Sequence, residues 1–289
     1  MIAVGDAVVS RVEEMIDTSF TAAGFLRPFE PEALRPHLHW LAPRYYIPER
    51  DALVFSMHAW VVQTGRHTVL VDTCVGDDKE RMPRAHWHHL KSGFLDRLRA
   101  AGVAPEQVDY VMCTHMHADH VGWNTRLADG RWVPTFPKAR YLFGRVEYEH
   151  WQKGSDPSPL RRAAFADSVL PVVEAGRADM IEDGHEVDGV LTVQLAPGHT
   201  PGNAHIRLAS KGAEAIFAGD TVHHPVQAYE VGWSTVACLD PAAAARSRRR
   251  LLEACVERNA LLLPGHFAAP HAARVTAAGD AFALRFTAG

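Results

Sequence analysis

The stretch Val108-Asp109-Tyr110-Val111-Met112-Cys113-Thr114-His115-Met116-His117-Ala118-Asp119-His120 decides how this chain is read. The apolar run from Val108 to Cys113 predicts a short strand, and four ligand-type side chains follow within six residues. Alternate side chains of an extended segment share a face, so His115 and His117 can point at one metal ion. Asp119 and His120 lie beyond, where the chain must turn, and can face a second ion beside the first. Nitrogen and oxygen donors of this kind suit borderline divalent ions. The chain holds 18 histidines in 289 residues, but it is their placement that carries the argument.

Three further segments repeat the arrangement of an apolar strand ending on a ligand-type residue. His199 follows the strand predicted over 191–195, in Ala196-Pro197-Gly198-His199-Thr200-Pro201-Gly202. Asp220 follows strand 215–217 in Ala218-Gly219-Asp220, and His266 follows strand 261–263 in Pro264-Gly265-His266. Each lies beside a glycine, which permits a tight turn. Side chains leaving strand ends toward a common rim are how α/β sheets assemble sites. Metal ligands are therefore expected at His115, His117, Asp119, His120, His199, Asp220 and His266.

The elements around these motifs alternate. Strands are predicted at 7–12, 52–63, 67–72, 139–143 and 205–208, the two flanking Thr64-Gly65-Arg66 joined by a turn. Helices are predicted at 89–101, 145–151, 160–173 and 241–257. The last has Asp240 as N-cap and Pro241 in its first turn. Residues 1–50 read partly as an irregular N-terminal flap, with Phe25 to Tyr46 outside the core. No internal repeat or low-complexity linker divides the chain, so residues 1–289 are expected to form a single domain of packed sheets with helices outside.

Composition excludes several classes. Hydrophobic residues make up 47% and charged residues 22%, the balance of a globular chain. Formal net charge is −4, which gives no footprint for nucleic acid. The basic run Arg246–Arg250 reads as a solvated helix face. Acidic residues interrupt the N-terminus, so no secretory signal is expected, and no apolar stretch is long enough to span a membrane. Cys74, Cys113, Cys238 and Cys255 lack C-x-x-C spacing and read as reduced, mostly buried thiols. A cytoplasmic protein with no membrane partner is expected, with room left for a homodimer. His86, His88 and His89 are expected in a surface loop without a metal role.

The pattern H-x-H-x-D-H, then PGHTPG, AGD and PGH, resembles the metallo-β-lactamase superfamily. Asp72 in Leu70-Val71-Asp72-Thr73 matches that family's acidic strand end, so the resemblance runs from Asp72 to His266, about two-thirds of the chain. It implies a four-layer αβ/βα sandwich with two metal ions, Zn2+ by the family's habit, at one edge. By that pattern His115, His117 and His199 bind the first ion, Asp119, His120 and His266 the second, and Asp220 bridges them. Asp72 would orient a ligand rather than bind metal.

The all-His/Asp set, with His120-Val121-Gly122-Trp123-Asn124 and Gly219-Asp220-Thr221-Val222-His223, is most similar to the branch holding quorum-quenching lactonases and methyl-parathion-hydrolase-like enzymes. The implied reaction is attack of a metal-bridging hydroxide on a carboxylic ester, a lactone of the N-acyl homoserine lactone kind. Phosphotriester or aryl-ester hydrolysis on the same site is the alternative, and a metal-free binding module of the same fold is the reading of a different class. Asp119 is a candidate proton shuttle as well as a ligand. Lactonases carry a tyrosine three residues past the bridging aspartate. Here the residue is His223, which either hydrogen-bonds the substrate oxygen or is held by backbone. Trp87, Trp123, Trp132, Phe136, Tyr229, Trp233 and Phe267 lie near the motifs; about half are expected to line a pocket for a small hydrophobic ester.

Overall fold

A computed structural model describes residues 1–154 and 156–287. Among these residues two seven-stranded sheets form the centre. The first takes its strands in chain order: β1 (Ile2–Val4), β2 (Ala7–Asp17), β3 (Phe55–Gln63), β4 (Thr68–Val71), β5 (Tyr110–Met112), β6 (Arg140–Gly144) and β7 (Ala178–Ile181). Pairing is antiparallel from β1 to β4 and parallel from β4 to β7. The second sheet also runs in chain order: β8 (Glu186–Val187), β9 (Leu191–Leu195), β10 (Ala204–Ser210), β11 (Ala213–Gly219), β12 (Leu261–Pro264), β13 (Ala273–Ala278) and β14 (Ala281–Phe286). Only β11 and β12 pair in parallel, and the helix Pro241–Glu257 lies between them in sequence, as a parallel connection requires.

Side-chain alternation fixes the layering. Val69 and Val71 of β4, Trp60 and Val62 of β3, and Met112 of β5 share one apolar cluster with Ala215 and Phe217 of β11 and Leu261 and Leu263 of β12. Their neighbours Leu70, Val61, Val111, Ile216 and Leu262 point the other way, into a cluster with helix residues Phe94, Leu98, Val172, Leu251 and Leu252. With a period of two, each strand feeds both the inter-sheet core and a helical layer. This is the expected α/β sandwich.

Several expectations need correction. The helix set at 89–101 is confined to Phe94–Ala100, because Gly93, with φ 69°, starts it. Segment 160–173 is a helix with a five-residue π turn, Phe165–Val169, inside it. The basic run is not all solvated: Arg248 is fully buried and donates to the carbonyls of Thr221 and Val231 at 3.0 and 2.6 Å. The first strand runs to Asp17 and joins the first sheet. The segment after it is no outlying flap, since Leu41 and Tyr45 are buried and Tyr45 donates to the Pro270 carbonyl at 2.9 Å. The four cysteines are free, three of them buried. No helix among the described residues is long and apolar enough to cross a membrane.

Candidate metal centre

The seven expected ligands converge at one edge of the sandwich. His115 follows β5, and His117 precedes the short helix Ala118–Val121, which carries Asp119 and His120. His199 lies in the turn between β9 and β10, Asp220 follows β11 and His266 follows β12. Two of the three flanking glycines are conformationally required: Gly198 has φ 135° and Gly219 φ 48°. A Cβ on Gly219 would also fall 2.7 Å from Thr114, the residue before His115. Gly265 has no such constraint.

Asp220 sits between two groups of side chains. Its Oδ2 lies 3.1 Å from His199 Nε2 and 3.6 Å from His115 Nε2. Its Oδ1 lies 2.9 Å from His266 Nε2 and 3.2 Å from His120 Nε2. One ligand atom each from His115, His117, His199 and Asp220 lie within 4.8 Å of one another, and so do those of Asp119, His120 and His266. Asp119 Oδ2 is 3.6 Å from His266 Nε2. Imidazole nitrogens also face each other directly: His199 Nε2 is 2.8 Å from His117 Nδ1, and His120 Nε2 is 3.1 Å from His266 Nε2.

Such a cluster is costly without a cation. The buried atoms His115 Nε2, His117 Nε2, Asp220 Oδ1 and His266 Nδ1 have no hydrogen-bond partner, and a bare buried polar atom costs about 1–3 kcal/mol. The outer faces of three histidines, by contrast, are anchored. His120 Nδ1 is 2.9 Å from Asp72 Oδ2, His115 Nδ1 is 3.2 Å from Thr114 Oγ1, and His199 Nδ1 is 3.5 Å from Cys238 Sγ. Asp72 also accepts from Thr114 N and Oγ1, both at 2.8 Å. With Nδ1 engaged outward, each ring offers Nε2 inward, the geometry in which imidazole binds metal. The donor set therefore fits two divalent ions that share Asp220. Burial opposes charge on His199, yet the adjacent Asp220 overrides it and pushes the ring up to about 9. Burial dominates at His223 and pushes it down to about 4.

A cavity of about 370 Å³ opens on this edge. His117, Asp119, Asp220, His223 and His266 form its floor, and Phe20, Phe25, Phe55, Met57, Trp87, Leu160 and Val236 are among its walls. His223 Nε2 is 3.1 Å from Asp220 Oδ2, but neither ring nitrogen is hydrogen-bonded. Its backbone N–H donates to Gln227 at 2.8 Å, which fixes the residue's backbone and sets its ring against Asp220 at the cavity floor.

Of the seven aromatic residues near the motifs, about half of which were expected to line the pocket, Trp87 alone does so. Trp123 stacks on Phe94, Trp132 lies under Lys79, Tyr229 packs on Trp40 and Trp233 on Phe29, while Phe136 and Phe267 are fully buried. Phe20, Phe25 and Phe55 take their place, and no motif near the ligands marks them. In the surface loop His88 Nδ1 is engaged by Glu80 at 3.0 Å, and His89 stands close by.

The sequence matches the metallo-beta-lactamase superfamily over residues 54–266. The chain belongs to that superfamily. Relatives within it include the N-acyl homoserine lactonase AttM of Rhizobium radiobacter, 27% identical over 54% of this chain and 60% of the relative. AttM of Agrobacterium fabrum is 31% identical over 42% and 47%. The alignments thus span about half to three-fifths of these curated relatives. Among solved structures of this fold, the hydrolase AbOPH superposes with TM-score 0.79 at 23% identity, covering 98% of this chain and 95% of its own. The dizinc quorum-quenching lactonase AidC, bound to a homoserine product, superposes with TM-score 0.79 at 18% identity, covering 100% and 97%.

Proposed function

We infer that this chain is a two-metal hydrolase that opens lactones, with N-acyl homoserine lactones as the substrate class. The observation that carries the reading is the division of Asp220, one carboxylate oxygen to each cluster, at the floor of a largely apolar cavity. The relatives named N-acyl homoserine lactonase support the substrate class, and the His/Asp donor set suits Zn2+. His115, His117 and His199 would hold one ion, Asp119, His120 and His266 the other, and Asp220 both. Two such ions supply Lewis acidity and a water acidic enough to ionise near neutral pH.

The chain's own residues do the rest. Phe20, Phe25, Phe55 and Trp87 hold the acyl part and exclude water. His223, neutral through burial, lines the cavity beside Asp220 and donates an N–H to the carbonyl oxygen as it gains charge. The Asp119 side chain is the most exposed of the cluster carboxylates, at 15% against 5% for Asp220. It accepts the proton from the attacking water and passes it to the departing alkoxide, which stays tethered in an opened ring. Residues 1–289 act as one domain in this reading, since β2 and the following segment complete the first sheet and the cavity wall.

The aromatic walls also favour aryl esters and phosphotriesters as a second reading. A hydrolysis panel of acyl homoserine lactones, aryl esters and phosphotriesters on zinc-reconstituted protein separates the two. The lactones should show the highest kcat/KM. A higher value for a phosphotriester would transfer the assignment, and protein that takes up no metal and turns over no substrate would leave the metal-free binding module.

A further inference from the structure

Glu147 is a buried carboxylate that the mechanism does not use. It lies on the helix Arg145–Gln152, which follows β6, and is 1% exposed. Four donors converge on it. Met116 N reaches Oε1 at 3.0 Å and Trp151 Nε1 reaches it at 2.6 Å. Thr200 Oγ1 reaches Oε2 at 2.7 Å and Gly202 N reaches it at 3.0 Å. Met116 is the residue between His115 and His117, and Thr200 follows His199. Trp151 in turn packs edge-on against the His117 ring, centroids 5.6 Å apart. One carboxylate thus joins the two loops that bring His115, His117 and His199 together, although those loops come from different sheets. The other cluster has its direct anchor in Asp72, which holds His120 and touches the first cluster only through Thr114, the partner of His115.

We propose that Glu147 is the positioning residue of the His115/His117/His199 cluster, so that metal occupancy there depends on Glu147 while occupancy of the Asp119/His120/His266 cluster depends on Asp72. The inference rests on the two-metal reading of the site. The physical reason is local. Each histidine of the first cluster is placed by a backbone segment, and Glu147 is where those segments meet. A carboxylate accepts from all four donors; a carboxamide of the same size presents an N–H to Met116 N or Gly202 N and opens the joint. Outer partners of metal ligands set affinity by about ten- to a hundredfold.

The test is zinc titration of the metal-free protein against a chromophoric chelator, with no activity measurement. His199→Ala and His266→Ala identify which binding step belongs to which cluster. Glu147→Gln should weaken the step that His199→Ala removes by about ten- to a hundredfold and leave the other step in place. Asp72→Asn should weaken chiefly the step that His266→Ala removes, because Asp72 holds His120 directly and reaches His115 only through Thr114. Thr200→Val deletes one of the four bonds and should weaken the same step as Glu147→Gln, by less; it carries the test if Glu147→Gln does not fold. Equal weakening of both steps, or a lowered melting temperature with both steps intact, makes Glu147 merely structural and overturns the proposal. Wild-type protein that takes up no zinc overturns the two-metal reading itself, and this inference with it.

Discussion

Asp220 concentrates the demands of the site in one side chain. Burial works against its charge, but the imidazoles around it hold the carboxyl well below its usual range. Asp220→Ala removes an oxygen from each cluster. It should cost about a thousandfold or more in kcat/KM, because several kcal/mol of charge stabilisation disappear together. Metal content should fall below two per chain while circular dichroism stays native. Near-wild-type turnover with two metals retained would show that Asp220 is not the shared ligand.

His223 tests how the carbonyl is held. His223→Ala should lower kcat by about ten- to a thousandfold, the range for losing one oxyanion donor. Metal content should not change, and His223→Tyr should keep more lactonase activity than the alanine variant. If both variants match wild type on every substrate, the imidazole has no part in catalysis.

At this scale the convergence of the candidate ligands was legible because ligand chemistry leaves a local mark: four donors in six residues, then three more at strand ends. Asp72 was legible for the same reason. The structure adds that it sits at φ 59°, an uncommon backbone state for a residue with a Cβ, with its carboxylate on Thr114 and His120. Glu147 was not legible. In Arg145-Val146-Glu147-Tyr148-Glu149 nothing separates it from Glu149, and only the docking of the helix on the His199 loop makes one of them a joint.

Among the elements, the loop before Phe94 and the π-containing helix from Pro159 to Glu174 form facing walls of the cavity, with Arg84 and Trp87 on one and Leu160 on the other. A buried ion cluster ties them. Arg81 donates to Asp167 at 2.7 and 3.0 Å, and Lys79 Nζ lies 3.6 Å from the same carboxylate; both cations are fully buried. Asp167→Asn leaves the buried Arg81 charge uncompensated and should destabilise the fold by about 3–5 kcal/mol, read from urea unfolding. A loss within experimental error would mean that this charge is solvated.

Burial pushes Lys79 down to about 7 despite Asp167 beside it. Between about pH 7 and the ordinary lysine range the unfolded chain holds the extra proton, so stability should rise with pH across that window. Lys79→Met should flatten the rise, and an unchanged slope would assign it to another group. None of this was visible in the chain. Lys79 and Arg81 stand in a polar stretch that reads as surface loop, and their partner lies over 80 residues away. The misread basic run has the same cause: helix periodicity turns Arg248 inward while Arg246, Arg249 and Arg250 stay exposed.

For the whole molecule, the ligands divide between the sheets. His115 to His120 follow a strand of the first sheet, and His199, Asp220 and His266 follow strands of the second. Metal ions held by these residues would therefore fasten one half of the sandwich to the other. Ligand at a hundred times its dissociation constant adds about 2.7 kcal/mol to the folded state, so stripping the metals should lower the melting temperature in calorimetry, and zinc should restore it. Equal melting temperatures with and without metal would mean that the sheets need no such fastening. The sandwich itself was legible, because strands buried on both faces read as apolar runs and their tips as Gly-flanked ligands. The segment between β2 and β3 was not, because its short helices, such as Ala22–Phe25 and Leu38–Leu41, show no periodicity long enough to register.

That segment supplies Phe20 and Phe25 to the cavity, yet it provides none of the seven candidate ligands. Substitutions at Phe20 would reshape what the cavity admits while leaving the candidate ligands in place, whereas Phe25, whose ring stands edge-on to His223, links the two parts.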